Sequence, residues 1–119
     1  MIQKESYLRN IDKSGVLFVN TFHLYKGFNR RQSFVGNFIK ISVRNNKPDA
    51  FLKKKSKSVA LFVKSKFISN KLDGSKNLFF ENNCILLKRK LVLRSKDIIG
   101  PGDRKIMRRK LLYKFPGII

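Results

Sequence analysis

Ile39-Lys40-Ile41-Ser42-Val43-Arg44 alternates apolar and polar side chains without a break. A period of two puts Ile39, Ile41 and Val43 on one face of a strand and Lys40, Ser42 and Arg44 on the other. The stretch Val59-Ala60-Leu61-Phe62-Val63-Lys64-Ser65-Lys66-Phe67 repeats the period. There Val59, Leu61, Val63 and Phe67 are assigned to the apolar face, and Ala60, Phe62, Lys64 and Lys66 to the opposite one. Upstream, Val16, Phe18, Phe22 and Leu24 share one face of a further strand, interrupted by Asn20. Leu78 to Phe80 and Cys84 to Leu87 are shorter candidates. Asp12 with Ser14-Gly15, and Asp73-Gly74, carry the turn chemistry that joins neighbouring strands. Several short strands, turn signals and few helices predict a mainly β fold, a small closed barrel with its basic side chains facing outward.

The last quarter of the chain reads differently. Pro101-Gly102 breaks the pattern, and Asp103 is placed to cap a helix behind it. On such a helix Arg104, Lys105, Arg108 and Arg109 form one basic face, with Ile106, Met107 and Leu111 opposite. The 119 residues fit one domain, with a barrel and extended loops over 1–94 and a helical segment over 95–119.

Charge narrows the function. There are 28 Lys and Arg against 7 Asp and Glu, a net +21 spread from end to end. A folded body with that charge repels itself and calls for a polyanionic partner, most commonly a nucleic acid, whose condensed counterions are released on binding. Cys84 is the only cysteine, so no internal disulfide scaffold is possible. No apolar run is long enough to cross a bilayer as a helix. Met1 to Ser6 is not followed by an apolar stretch, so it does not read as a signal or transit peptide. The chain has 19 Lys, 11 Ile, 11 Phe and 10 Asn but only 2 Ala. This bias toward AT-rich codons points to an organelle: the mitochondrion, with the plastid as the alternative.

Four groups of residues are candidates for contact with RNA or a partner. Arg30-Arg31, in a loop between Gly27-Phe28-Asn29 and Gln32-Ser33-Phe34, offers two guanidinium forks to phosphates. Phe28 and Phe34 are assigned to core packing, with stacking on an unpaired base as the alternative. Lys53-Lys54-Lys55, with Lys47 and Lys57, forms a loop expected to order on RNA and to supply affinity more than sequence reading. Lys40, Arg44, Lys64 and Lys66 project from strands and either orient the body on RNA or form an ordinary wet sheet face. Arg104 and Lys105 are set along a phosphate backbone. Arg108, Arg109, Tyr113 and Phe115 are assigned to partner contact, the two rings packing on the barrel or on a neighbour.

No catalytic constellation emerges. His23 stands alone, as a strand residue with a local hydrogen bond, and Cys84 reads as buried and inert. Asp73, Asp97 and Asp103 fall in turn or capping contexts. There is no phosphate-cradling glycine loop, no metal set, no cofactor site and no small-molecule substrate site. A nucleoid DNA-binding protein, a metal-dependent nuclease and a peripheral membrane protein are the rival readings. The first lacks a recognition-helix dimer pattern and the second lacks clustered carboxylates.

In their order along the chain, these residues resemble the universal large-subunit ribosomal protein fourteen family. Met1-Ile2-Gln3, Asp12 with Ser14-Gly15, Gly27, Arg30-Arg31, Val35-Gly36 and Ile39-Lys40-Ile41 follow its pattern. So do Ala60-Leu61-Phe62-Val63, Asp73-Gly74, Phe79, Asn82, Ile85-Leu86 and Gly100-Pro101 with Arg104. Gly36-Asn37, Phe62 and Gly102-Asp103 depart from it. The resemblance implies a five-stranded barrel, an extended ribbon and short C-terminal helices. It implies a non-enzymatic constituent of the large ribosomal subunit that binds large-subunit rRNA. It further implies contact with ribosomal proteins three and nineteen, intersubunit bridges to small-subunit rRNA, and a surface that a ribosome-silencing factor can occupy.

Overall fold

The alternating stretch around Ile41 forms the long strand β3, Phe38–Asn46, and its neighbours follow from the same pattern. In the computed structural model, which describes residues 2–25, 31–50, 52–88, 92–95, 97–106 and 109–119, the order is β1 Tyr7–Asn10, β2 Val16–Leu24, β3, β4 Lys57–Lys64, β5 Ser69–Asn70, β6 Lys76–Asn77, β7 Asn83–Leu87 and α1 Arg109–Leu112. The barrel closes as β1-β2-β3-β4-β7, antiparallel throughout except for the parallel β1–β7 pair, while β5 and β6 make a separate two-stranded ribbon. Closure leaves no unpaired sheet edge on the barrel.

Both predicted turns are present. Asp12 is buried between β1 and β2. Its Oδ1 accepts from Asn10 Nδ2 (2.6 Å), Ser14 N (3.1 Å) and Ser14 Oγ (2.5 Å), and its Oδ2 accepts from Leu86 N on β7 (3.0 Å). One carboxylate thus ties the first turn to the last barrel strand. In the ribbon, Asp73 Oδ1 accepts from Ser75 N and Oγ, and Gly74 takes φ +90°, a conformation that suits glycine. Those two Ser75 hydrogen bonds hold the Asp73 carboxyl below its usual range.

The barrel interior is filled by Leu8, Val16, Val19, Leu24, Ile39, Ile41, Val43, Ala60, Phe62, Cys84 and Leu86. Ile39, Ile41 and Val43 point inward as the alternation requires. Strand β4 does not follow its assigned faces. Ala60 and Phe62 point into the barrel, whereas Leu61 and Val63 lie on its outside in a second core with Ile85 and Leu87. This outer core is covered by Ile98, Ile106, Leu111 and Phe115 from the C-terminal segment. The continuous apolar run Ala60–Val63 is therefore buried on both faces, with Leu61, Phe62 and Val63 each contributing about 1.5–3 kcal/mol over exposure.

Strand β2 also departs from simple alternation. Register shifts against β3 fall between Val16 and Phe18, between Phe18 and Val19, and between Thr21 and His23. Each bulge resets the phase. Val16 and Leu24 stay inside, Val19 replaces Phe18 there, and Phe18 faces out. Leu78 to Phe80, expected as a strand, follows β6 as irregular chain, with Leu78 and Phe80 exposed.

The C-terminal region is a cover more than a helix. Asp103 does not cap one: its Oδ1 accepts from Lys105 N (3.0 Å) and its carbonyl from Ile106 N (3.0 Å), closing a tight turn. The reason is tertiary. Gly102 N donates to Gly117 O (2.8 Å), Ile119 N to Gly102 O (2.9 Å) and Arg104 N to Ile119 O (3.0 Å), so 102–104 run beside the chain end. Ile106 then turns into the outer core. Among the described residues of 95–119 only Arg109–Leu112 is helical. Four residues form no stable helix alone, and packing of Leu111 and Phe115 holds this one.

Candidate nucleic-acid interface

The outer face of β2, β3 and β4 gathers cations. Lys40 pairs across to His23 on one side and Val59 on the other, and Ser42 pairs with Lys57, so Lys40 and Lys57 share this face. The bulge between Thr21 and His23 leaves Phe22 as the extra residue, and its ring lies beneath both amines: Lys40 Nζ is 5.9 Å from its centroid and Lys57 Nζ 5.7 Å. Each distance is within cation–π range. Two like charges over one ring repel, and an anion placed between them relieves that repulsion, as a phosphate oxygen does. Arg44 is exposed further along β3.

The lysine loop adjoins this face. Lys47, Lys53, Lys54 and Lys55 are all exposed. The loop expected to take its order from RNA has a frame of its own. Lys47 N donates to Gly15 O (2.8 Å), Lys55 N to Val43 O (2.8 Å), Val43 N to Ser56 O (2.9 Å) and Ser56 N to Lys53 O (3.2 Å). Asn46 Nδ2 donates to Leu52 O (2.5 Å), and Lys55 adopts φ 67° to make the turn. The amines are thus presented from a hydrogen-bonded backbone.

A second gathering joins residues far apart in sequence. Gly36 (φ +91°) packs against the Arg104-Lys105 turn, and a Cβ there would sit 3.2 Å from the Lys105 carbonyl oxygen. Exposed Arg104 and Lys105 therefore lie against the loop that carries exposed Arg31. Phe34, assigned to the core, is instead exposed and lines a cleft with Phe67, Ile68 and Lys105. Arg30, Phe28 and Arg108 lie outside the described residues, as does the Arg109 side chain.

The remaining candidates separate. Lys64 is half-buried. Its Nζ donates to Ile99 O (3.4 Å), lies 5.7 Å from the Phe79 ring centroid and abuts Gly100, where a Cβ would approach it to 2.5 Å. Desolvation lowers its pKa, against a smaller opposing effect of Glu81. Lys66 is exposed on another side, beside Tyr7, Phe18 and Phe80. Phe115 packs on the barrel at 6% exposure, whereas Tyr113 is 74% exposed. Sequence reasoning passed over Phe22 as a platform and the Tyr7–Phe18–Phe80 group entirely. The bulges of β2 turn Phe18 and Phe22 outward.

Among the described residues, no three His, Cys, Asp or Glu side chains converge as for a metal ion, and no helix is long and apolar enough to cross a membrane. His23 is exposed, with its ring edge-on to Tyr25 at 5.1 Å. Cys84 is buried inside the barrel, where desolvation pushes its thiol pKa far up and nearby Asp12 pushes it the same way.

Residues 1–116 match the family described as Ribosomal protein L14p/L23e. The chain is also 42% identical over 119 residues to the large ribosomal subunit protein uL14m of Tetrahymena pyriformis, covering 100% of both chains. That relative is of the mitochondrial type, and it supports the mitochondrion for this chain over the plastid. A match along the whole length, on a closed five-stranded barrel with a ribbon, leads to one conclusion: the chain belongs to the ribosomal protein L14p/L23e family, as a structural component of the mitochondrial large ribosomal subunit and not an enzyme.

Proposed function

We propose that the chain binds large-subunit rRNA and holds separate RNA segments in register by electrostatics and shape, without turnover. The observation that carries this reading is the pair Lys40 and Lys57 over Phe22, continuous with Arg44 and the framed lysine turn. Rigid cations fix orientation on a phosphate backbone, and the mobile ends of Lys53, Lys54 and Lys55 add affinity. The Arg31 loop with Arg104 and Lys105 makes a second contact, reached by an RNA segment on another side of the barrel.

Residues 1–94 act as the RNA-holding barrel and loops in this reading, and 95–119 as a cover that also meets partners. Arg108, Arg109 and exposed Tyr113 are the partner-facing residues. Phe115 is packed in the outer core and serves the cover, not the partner contact. Ribosomal proteins three and nineteen are the proposed neighbours in the large subunit. Small-subunit rRNA is the proposed contact across the interface, on a surface open to a ribosome-silencing factor when subunits are apart.

Anisotropy titrations of labelled large-subunit rRNA fragments over a salt series test the proposal. The logarithm of affinity falls linearly with the logarithm of salt, by about 0.7–0.9 per phosphate neutralised. Lys40→Gln with Lys57→Gln lowers that slope by about 1.4–1.8. Binding indifferent to salt, or a slope unchanged by the pair, overturns it.

A further inference from the structure

Rings on the outside of β1 and β2 form a cleft at the β1 side of the barrel's outer surface. Arg9 pairs with Phe18 across the two strands, and Tyr7 is two residues before Arg9, so all three side chains share the outer surface. The Tyr7 and Phe18 rings are 6.3 Å apart at 41°, an open wedge and not a closed stack. Phe80 and Lys66 complete the walls of a cleft of about 310 Å³. Tyr7 is 59% exposed and Phe80 95%. So much aromatic surface on a chain of net charge +21 is costly to leave in water.

The polar groups at the rim are held in place. Arg9 Nη1 donates to Glu81 Oε1 (3.2 Å), Asn83 Nδ2 donates to Glu81 Oε2 (3.4 Å), and Lys66 N donates to Asn82 Oδ1 (2.8 Å). An acceptor and a cationic fork thus stand side by side at the edge of an aromatic wedge. A planar base edge with a donor beside an acceptor fits that pair, and its phosphates fall to Lys66.

We infer that this cleft takes one unpaired nucleobase of a single-stranded RNA segment, stacked against Tyr7, Phe18 and Phe80 and edge-bonded by Glu81 and Arg9. The inference rests on the RNA-binding reading and deepens it by naming a site that selects unstacked RNA. Net charge complementarity and a cleft walled by exposed aromatic rings favour a base over the side chains of a polypeptide.

The test uses the full chain and three labelled probes: a single-stranded RNA of about ten nucleotides, an abasic strand of equal length and charge, and a duplex. The single strand is expected to bind about 5- to 150-fold tighter than the abasic strand, the range for stacking of one base. Phe80→Ala, at a position too exposed to matter for folding, removes most of that ratio and leaves duplex affinity unchanged. Tyr7→Ala does the same, and Tyr7→Phe retains the ratio. Equal affinity for single and abasic strands, with duplex binding intact, overturns the base site while the RNA-binding reading stands. Loss of binding to all three probes in the wild type overturns both. If Phe80→Ala leaves the RNA ratio intact but strips a ribosomal protein from reconstituted subunits, the cleft serves a polypeptide and the inference fails.

Discussion

Gly102→Ala tests how the C-terminal cover is fastened. The φ of Gly102 lies outside the left-handed region, so alanine meets no backbone penalty there. The obstacle is one side chain. A Cβ at 102 would lie 2.7, 2.9 and 3.1 Å from Cγ, Cδ2 and Cδ1 of Phe115. Those separations are about 1 Å short of carbon–carbon contact. The ring cannot simply swing away, because it is buried in the outer core with Leu61, Val63, Ile85, Leu87, Ile98 and Ile106. Overpacking of this kind costs about 1–3 kcal/mol. Phe115→Ala alone costs about 3 kcal/mol, the low end for a buried ring, since a segment near the chain end can collapse onto the gap. In the Phe115→Ala background the obstacle is gone and the new methyl fills vacated space. There Gly102→Ala costs less than about 0.5 kcal/mol, or gains up to about 0.8 for one buried methyl. A double-mutant cycle by urea denaturation, followed by circular dichroism, therefore shows a coupling of about 1–3 kcal/mol. If the two changes add within about 0.5 kcal/mol, Phe115 does not exclude a side chain at 102, and the account of this fastening is wrong.

Three further outcomes follow from the packing and charge. Asp12→Ala leaves the buried Leu86 N–H without its acceptor, while the Asn10 amide keeps Val16 O and Ser14 Oγ, and costs about 1–3 kcal/mol, as the shift in urea midpoint measures. Cys84 resists maleimide in the native protein and reacts only on unfolding. Because its folded thiol pKa is raised, the stability it confers is complete below the unfolded value of roughly 8.5 and falls by about 1.4 kcal/mol per pH unit above it, a decline that Cys84→Ala lacks in paired melts. Changing Lys53, Lys54 and Lys55 together to Gln lowers the salt slope of rRNA binding by about 2–3 with no change in unfolding free energy from urea melts beyond about 0.5 kcal/mol; an unchanged slope removes the loop from the interface.

Local pattern alone determined that this chain is a barrel of short strands. Ile39, Ile41 and Val43 had to face inward because a half-buried strand has a period of two, and Asp12, Gly15 and Gly74 had to mark turns because their chemistry suits little else. The +21 charge likewise pointed to a polyanionic partner before any fold was known. Three things were decided only in three dimensions. The bulges of β2 exchanged Phe18 for Val19 inside the barrel, and they left Phe22 under two lysines: a bulge is a property of two paired strands and leaves no mark on one of them. The outer core existed only once Ile98, Ile106, Leu111 and Phe115 came back over β4 and β7, so Leu61 and Val63 were legible as apolar but their direction was not. The amphipathic pattern after Asp103 was real, yet pairing of 102–104 with the chain end used the same residues for a turn. Tertiary hydrogen bonds and burial outweigh a helix propensity worth only tenths of a kcal/mol per residue.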